Sequence, residues 1–213
     1  MKRKIVIAAV AAVALAGGGT ATALAVSGDD EPSAASKSSV QVKNHDRADR
    51  DDRNDDRGDD AEDRAEARAA KVTAADAIAA ALKHTPGTAV SAELDDEDGG
   101  LVWDVDVLKN GKNDKAGTWH SVEVDPGTGK VLGSWTEKDD DGDASRVAAA
   151  LKGASVSAED AAKAAAAKGT VTSVDLDDDH HRGAAAWETE TTKGDWKVDL
   201  KSAKVTVDHD DED

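Results

Sequence analysis

Apolar positions between residues 72 and 135 change period once, and that change predicts the local structure. Ala75, Ile78, Ala79 and Leu82 recur at helical spacing. They predict a helix that starts at an N-cap Thr73, with Asp76 three residues on as a capping-box variant, and stops at Pro86-Gly87. Beyond it the period is two. Val90, Ala92 and Leu94 alternate with polar neighbours, and Leu101, Trp103, Val105 and Val107 alternate with Asp104 and Asp106. His120, Val122 and Val124 alternate with Ser121 and Glu123. Pro126-Gly127-Thr128-Gly129 is a turn cluster, and residues 130–135 follow as a last strand. The expected unit is α+β: one helix on a meander of three or four antiparallel strands. One sheet face covers the helix, and the other faces water or a partner.

The same order of signals returns downstream. Val72-Thr73-Ala74-Ala75-Asp76-Ala77 recurs 84 residues later as Val156-Ser157-Ala158-Glu159-Asp160-Ala161. Glu93-Leu94-Asp95-Asp96 returns as Asp175-Leu176-Asp177-Asp178, and Trp103-Asp104-Val105-Asp106 as Trp187-Glu188-Thr189-Glu190. Val122-Glu123-Val124 has a counterpart in Val198-Asp199-Leu200, and Lys130-Val131 in Lys204-Val205. Five matches in one order define an internal repeat with shortened loops. Ala162 stands where the first helix has Ile78, and Ala166 where it has Leu82, so the second copy is expected to be the weaker module.

Outside the repeats the chain changes character. Lys2, Arg3 and Lys4 precede an uncharged stretch of 22 residues, 5–26, that contains Gly17-Gly18-Gly19 and ends near Ala23-Leu24-Ala25. This predicts export, through either a cleaved signal peptide or an uncleaved membrane anchor at residues 1–25. Residues 44–68 hold nine Asp, two Glu and six Arg, with Ala as the only apolar type. Residues 26–70 are therefore expected to be a disordered, charged linker, or, over its end from Glu62 to Lys71, where Glu62–Glu66 and Arg64–Arg68 sit at helical spacing, an extension of the first helix. Two helix-on-meander units are expected at residues 71–136 and 155–208, joined by an acidic linker at 137–154 and followed by an acidic tail at 209–213.

Charge and composition then exclude function classes. The formal net charge is −18, with no Cys, Phe or Tyr and five Trp among 213 residues. Such a charge argues against nucleic acid or an anionic membrane surface as a partner, while allowing weak divalent cations. The missing Cys removes disulfides, thiolate metal sites and thiol nucleophiles.

The first copy carries Thr73-Ala74-Ala75-Asp76-Ala77, Pro86-Gly87 and Val102-Trp103-Asp104-Val105, and it closes with Val124-Asp125-Pro126-Gly127-Thr128-Gly129-Lys130-Val131. In these motifs it resembles the PepSY domain. The second copy keeps Ser157-Ala158-Glu159-Asp160-Ala161 and Trp187-Glu188. It reduces the hairpin to Leu200-Lys201-Ser202-Ala203-Lys204-Val205, without the glycine. The resemblance implies a module like those in the propeptides of thermolysin-like metalloproteases, which restrain the enzyme or help it fold. It brings no catalytic residues and no cofactor.

No His-Glu-x-x-His, Gly-x-Ser-x-Gly or phosphate-binding loop is present. Residues 139–143 invite an EF-hand reading, but position twelve would be Ala148, where a bidentate carboxylate is required. His180-His181 sit in a polar loop without metal-ligand spacing. The expected binding surface is the open sheet face, with Asp104, Asp106 and Glu123 as its acidic part and Trp119 as an exposed aromatic anchor. The expected function is an exported, non-catalytic module that engages an exported or envelope protein, a peptidase above all. The alternative is a structural or cation-buffering envelope protein acting through its acidic stalk and loops.

Overall fold

A computed structural model describes residues 36–41, 64–97, 100–109, 117–137, 143–178 and 184–208. The expected export segment, most of the Asp/Arg tract, residues 139–142, His180-His181 and the acidic tail lie outside the described residues. Among those described, no helix is long and apolar enough to cross a membrane.

The fold is α+β. A helical segment, α1 (described over residues 64–69), precedes α2 (Ala74–His84) and the meander β1 (Thr88–Glu97), β2 (Gly100–Lys109), β3 (Thr118–Val124) and β4 (Val131–Glu137). Helix α3 (Asp143–Ala150) leads to α4 (Ala158–Ala165) and a second meander of β5 (Val171–Asp177), β6 (Ala186–Thr191), β7 (Gly194–Asp199) and β8 (Val205–Val207). All eight strands form one sheet, in the order β4-β3-β2-β1-β5-β6-β7-β8. The two meanders thus run outward from a shared centre, where β1 pairs antiparallel with β5.

The register at that centre is symmetric. Ala92 pairs with Val174, its own counterpart in the repeat, while Ser91 faces Asp175 and Glu93 faces Ser173. An approximate two-fold axis therefore passes between Ala92 and Val174. Helices α2 and α4 lie on one sheet face and touch each other, and a single apolar core runs through both halves. It includes Ile78 and Ala81 from α2, Ala161 and Ala165 from α4, and Trp103, Val105, Val122, Val174, Trp187 and Val198 from the sheet. The stripe on α2 is rotated from the expected one: Ala74, Ala77 and Ala81 are buried with Ala75 and Ile78, and Ala79 is exposed.

Each helix entry is fixed in the same way. Trp103 Nε1 donates to the Val72 carbonyl at 3.0 Å, and Trp187 Nε1 donates to the Val156 carbonyl at 3.0 Å. The accepting residue directly precedes the N-cap. Thr73 and Ser157 then accept from the backbone N–H groups of Asp76 and Asp160, both at 3.2 Å. In the second copy the capping box is complete, since Ser157 N donates to Asp160 Oδ2.

The closing turn is also kept, despite the missing glycine. The backbone N–H groups of Lys71 and Val72 bond to Pro126 O, and those of Ser155 and Val156 bond to Leu200 O. Asp125 and Asp199 occupy equivalent positions, each bonding through its N–H to the carbonyl of Lys130 or Lys204. Gly129 takes a φ of 71° in the first turn, and Ala203 takes 56° in the second. The left-handed conformation costs an L-residue with a Cβ about 1–2 kcal/mol. The turn survives because Asp199 Oδ1 also accepts from Ser202 N at 2.8 Å and Ser202 Oγ at 2.6 Å.

Three expectations are corrected here. Residues 36–41, placed in the disordered linker, pack against the sheet. Ser38 Oγ donates to Leu101 O at 2.5 Å, Leu101 N to Val40 O at 2.9 Å, and Ser39 Oγ to Asp125 Oδ1 at 2.7 Å. Short polar side chains can bond to free backbone groups of an existing sheet without an apolar stripe of their own. Residues 64–69 of the same linker form a helix of their own, separated from α2 by residues 70–73, with Glu66 and Ala67 buried. The acidic linker at 137–154 contains α3, because Ala144, Val147 and Leu151 recur at helical spacing and find apolar partners.

Two stability predictions follow from these contacts. Ala203→Gly relieves the left-handed strain at the cost of some unfolded-state entropy. It should raise stability by about 0.5–1 kcal/mol in urea unfolding; a lower midpoint would show that the turn is not strained at Ala203. Trp187→Phe keeps an aromatic ring but leaves the buried Val156 carbonyl without its donor. It should cost about 1–3 kcal/mol in the same assay.

Candidate functional site

Alternation along the strands sorts side chains onto two faces. Trp103, Val105, Val107, Val122 and Val124 point to α2 and α4. The opposite face carries two rows that cross the sheet. One row runs Trp135, Ser121, Asp106, Ser91, Asp175, Glu188, Lys197 and Thr206, each cross-strand from the next. The other runs Glu123, Asp104, Glu93, Ser173, Glu190 and Asp195. Like charges directly opposite one another in a sheet repel, so these rows need hydroxyls and cations between them.

The serines supply part of that relief. Ser121 Oγ donates to Asp104 Oδ1 at 2.5 Å, Ser91 Oγ to Asp106 Oδ2 at 3.0 Å, and Ser173 Oγ to Asp175 Oδ2 at 3.0 Å. Lys197 supplies more. Its Nζ lies 3.5 Å from Asp177, 3.4 Å from Glu188 and 3.4 Å from Asp208. Burial disfavours the charge of Lys197, but Asp208 and Glu188 outweigh it and hold the pKa above its ordinary value.

The centre of the sheet is less well compensated. Burial, with the charges of Glu93, Glu190 and Glu188 added, pushes Asp175 up to about 7 against the bond from Ser173. Glu188 is raised by burial and by Asp177, against Lys197. Among the described residues no group of three or more His, Asp or Glu is arranged to hold a metal ion.

The structure places Asp104, Asp106 and Glu123 together on this face, all partly buried. It does not leave Trp119 exposed beside them. Trp119 is 9% exposed and packs with Val90, Leu108, Ala144 and Val147, so α3 covers it. Arg146 helps hold that helix down, bonding Asp178 through Nε at 2.8 Å and Asp143 through Nη2 at 2.6 Å. The aromatic that does reach the acidic rows is Trp135, partly exposed opposite Ser121. Sequence reasoning missed it because the hairpin carries a bulge between Glu123 and Val124. A regular ladder from Val124↔Val131 would pair Trp135 with His120 on the helix side; the extra residue turns it to the outer face.

The geometry defines a pair of fused helix-on-meander units with an acidic outer surface. The model of the PepSY domain, described as peptidase propeptide and YPEB domain, matches residues 71–135 and 155–207, more than half of the chain. The chain belongs to the PepSY family. A crystal structure of a candidate lipoprotein from Clostridium difficile 630 is similar at 24% identity and a TM-score of 0.38, covering 64% of this chain and 91% of that one. No match is found among curated proteins.

The raised Asp175 sets a direction for pH dependence. Its unfolded-state value is near 3.8 and its folded value about 7. Between those values the folded state holds a proton that the unfolded chain releases. Its contribution to stability is therefore present near pH 4 and lost as pH rises through 7. Asp175→Asn should raise the melting temperature at pH 8, by a free energy on the order of a few kcal/mol, and flatten its fall between pH 5 and pH 8. A variant that melts with the parent's pH slope would remove Asp175 as the cause.

Proposed function

We propose that this chain is an exported, non-catalytic PepSY-domain protein that binds an extracytoplasmic peptidase and modulates its activity. In this reading residues 1–25 direct export, as a cleaved signal or a membrane anchor. Residues 71–136 and 155–208 are the two PepSY units that do the binding. The observation that carries the proposal is the twofold match to a peptidase propeptide domain. The sheet offers a docking surface of matching character: Asp104, Asp106 and Glu123 form its acidic part, and Trp135 takes the anchoring role first expected of Trp119. Acidic side chains speed the encounter with a basic surface, and an indole supplies burial.

The test is peptidase activity in culture supernatant, measured with and without the added purified chain at low and high salt. A saturable change in activity that weakens as salt rises is expected, because salt shortens the reach of surface charges. Trp135→Ala should weaken the effect about tenfold or more at every salt concentration. If the folded chain alters no peptidase activity and captures no peptidase, the reading gives way to a structural, cation-buffering envelope protein.

A further inference from the structure

On the helix side of the sheet, a groove of about 600 Å³ opens between α1, α2 and α4. It exists because α4 is thin. Ala162 and Ala166 line it at the positions where α2 carries Ile78 and Leu82. Its floor is apolar, with Leu94, Trp103 and Val171 beneath the helices. Its rim is cationic: among the described residues Lys71, Lys163, Lys168 and Lys193 line it, and no Asp or Glu does. A smaller cleft that shares Ala67, Thr170, Thr192 and Lys193 adds Arg64 and Arg68.

This rim runs against the composition of the whole chain, which carries 45 acidic and 27 basic residues. Some of its cations are held in place. Arg64 Nε donates to Thr192 O at 3.2 Å, Lys168 lies 4.9 Å from the centre of the Trp196 ring, and Lys163 pairs with Glu159 at 2.6 Å. Arg68, Lys71 and Lys193 are exposed to solvent.

We propose that this groove binds an acidic peptide segment of a partner protein, one that carries bulky apolar side chains among its carboxylates. The rim supplies charge complementarity, and the Ala-lined floor leaves room for an apolar anchor. The chain's own acidic stretch before α1 fits less well. Between residues 44 and 63 it interleaves Arg47, Arg50, Arg53 and Arg57 with its carboxylates, and Ala is its only apolar type. The groove lies on the opposite side of the sheet from the acidic rows and has the opposite sign. Its failure would leave the peptidase proposal standing, and the reverse also holds.

The experiment uses the full chain and a short fluorescent peptide of alternating Glu and Leu, followed by anisotropy. Saturable binding is expected, weakening as salt rises above physiological strength, and any binding of a Lys/Leu peptide of equal length, drawn to the acidic outer face, should be insensitive to Ala166→Leu. The double variant Lys71→Glu/Lys193→Glu should lose about tenfold in affinity, while Lys83→Glu/Lys109→Glu, outside the groove, should keep it. Ala166→Leu fills the groove without changing charge and should also lower affinity, with circular dichroism confirming that each variant is folded. Equal binding by both double variants overturns the proposal. So does binding of polyphosphate that equals the peptide's and ignores Ala166→Leu, which would mark a mere charge sink. If a synthetic peptide of residues 44–60 displaces the Glu/Leu probe at equal or lower concentration, the occupant is the chain's own segment and the partner assignment falls.

Discussion

The bond from a buried indole to the carbonyl before the N-cap organises both halves of this protein. Trp103 and Trp187 each reach back 31 residues, to Val72 and Val156, through a layer of apolar side chains. One ring thereby does two things. It fills the space between helix and sheet, and it fixes where the chain must turn into the helix, because the carbonyl it satisfies, partly buried at Val72 and buried at Val156, lies just ahead of the helix's own ladder. The closing turn completes the clamp from the other side. Pro126 and Leu200 carbonyls accept the N–H groups of the same entry segments. Helix entry, second strand and final turn are tied at one point, so the meander cannot slip by a residue without breaking all three.

With each unit fixed in that way, their union follows from what each leaves unpaired. A four-stranded meander has two edges, and an exposed edge invites pairing. Here β1 and β5 pair with each other, Ala92 against its counterpart Val174. The arrangement brings α2 against α4 and lets Ala162, which alone would underfill the second unit, share the first unit's core. The second helix need not be as bulky as the first, since half of its neighbours belong to the other copy. The same symmetry has a cost on the outer face. It sets Glu93 and Asp175 close together about the axis, and the burial of Asp175 there explains why it holds its proton to about pH 7.

The elements that depend on local chemistry were legible in the sequence. Thr73 and Ser157 cap helices, and the alternation around Trp103 and Trp187 places those rings in the core. The Thr-Ala start and the Asp-Pro-Gly turn point to the PepSY family, to which the chain belongs. What was not legible depends on relations between distant residues. No residue type announces that β1 will pair with β5 rather than remain an edge. The bulge after Glu123 reverses the facing of Trp135, and a single inserted residue leaves no compositional mark. Helix α3 did have a signal, in Ala144, Val147 and Leu151, but the surrounding carboxylates masked it. Its cover over Trp119 is what removes that ring from the acidic surface. Ala203 shows the converse: the sequence lacks a glycine, yet side-chain bonds from Ser202 to Asp199 hold the turn.

The distribution of charge across the sheet bears on how such a protein can meet its surroundings. Two rows rich in carboxylates cross the outer face, while the groove beside α4 is rimmed by lysine and arginine. The two faces are separated by a sheet and a layer of helix packing, roughly 10 Å. That is about one Debye length at physiological ionic strength. Across that distance, carboxylates exposed to solvent lose most of their pull on the opposite rim, so each face presents its own sign to what approaches it. In dilute buffer the screening length grows and the net charge of −18 dominates both sides. A partner attracted to the basic groove is then repelled at long range by the rest of the molecule. Binding at the groove should therefore pass through a maximum as salt rises, first gaining as the background repulsion is screened and then losing as the local ion pairs weaken. Binding at the outer face has no such opposing background and should only fall.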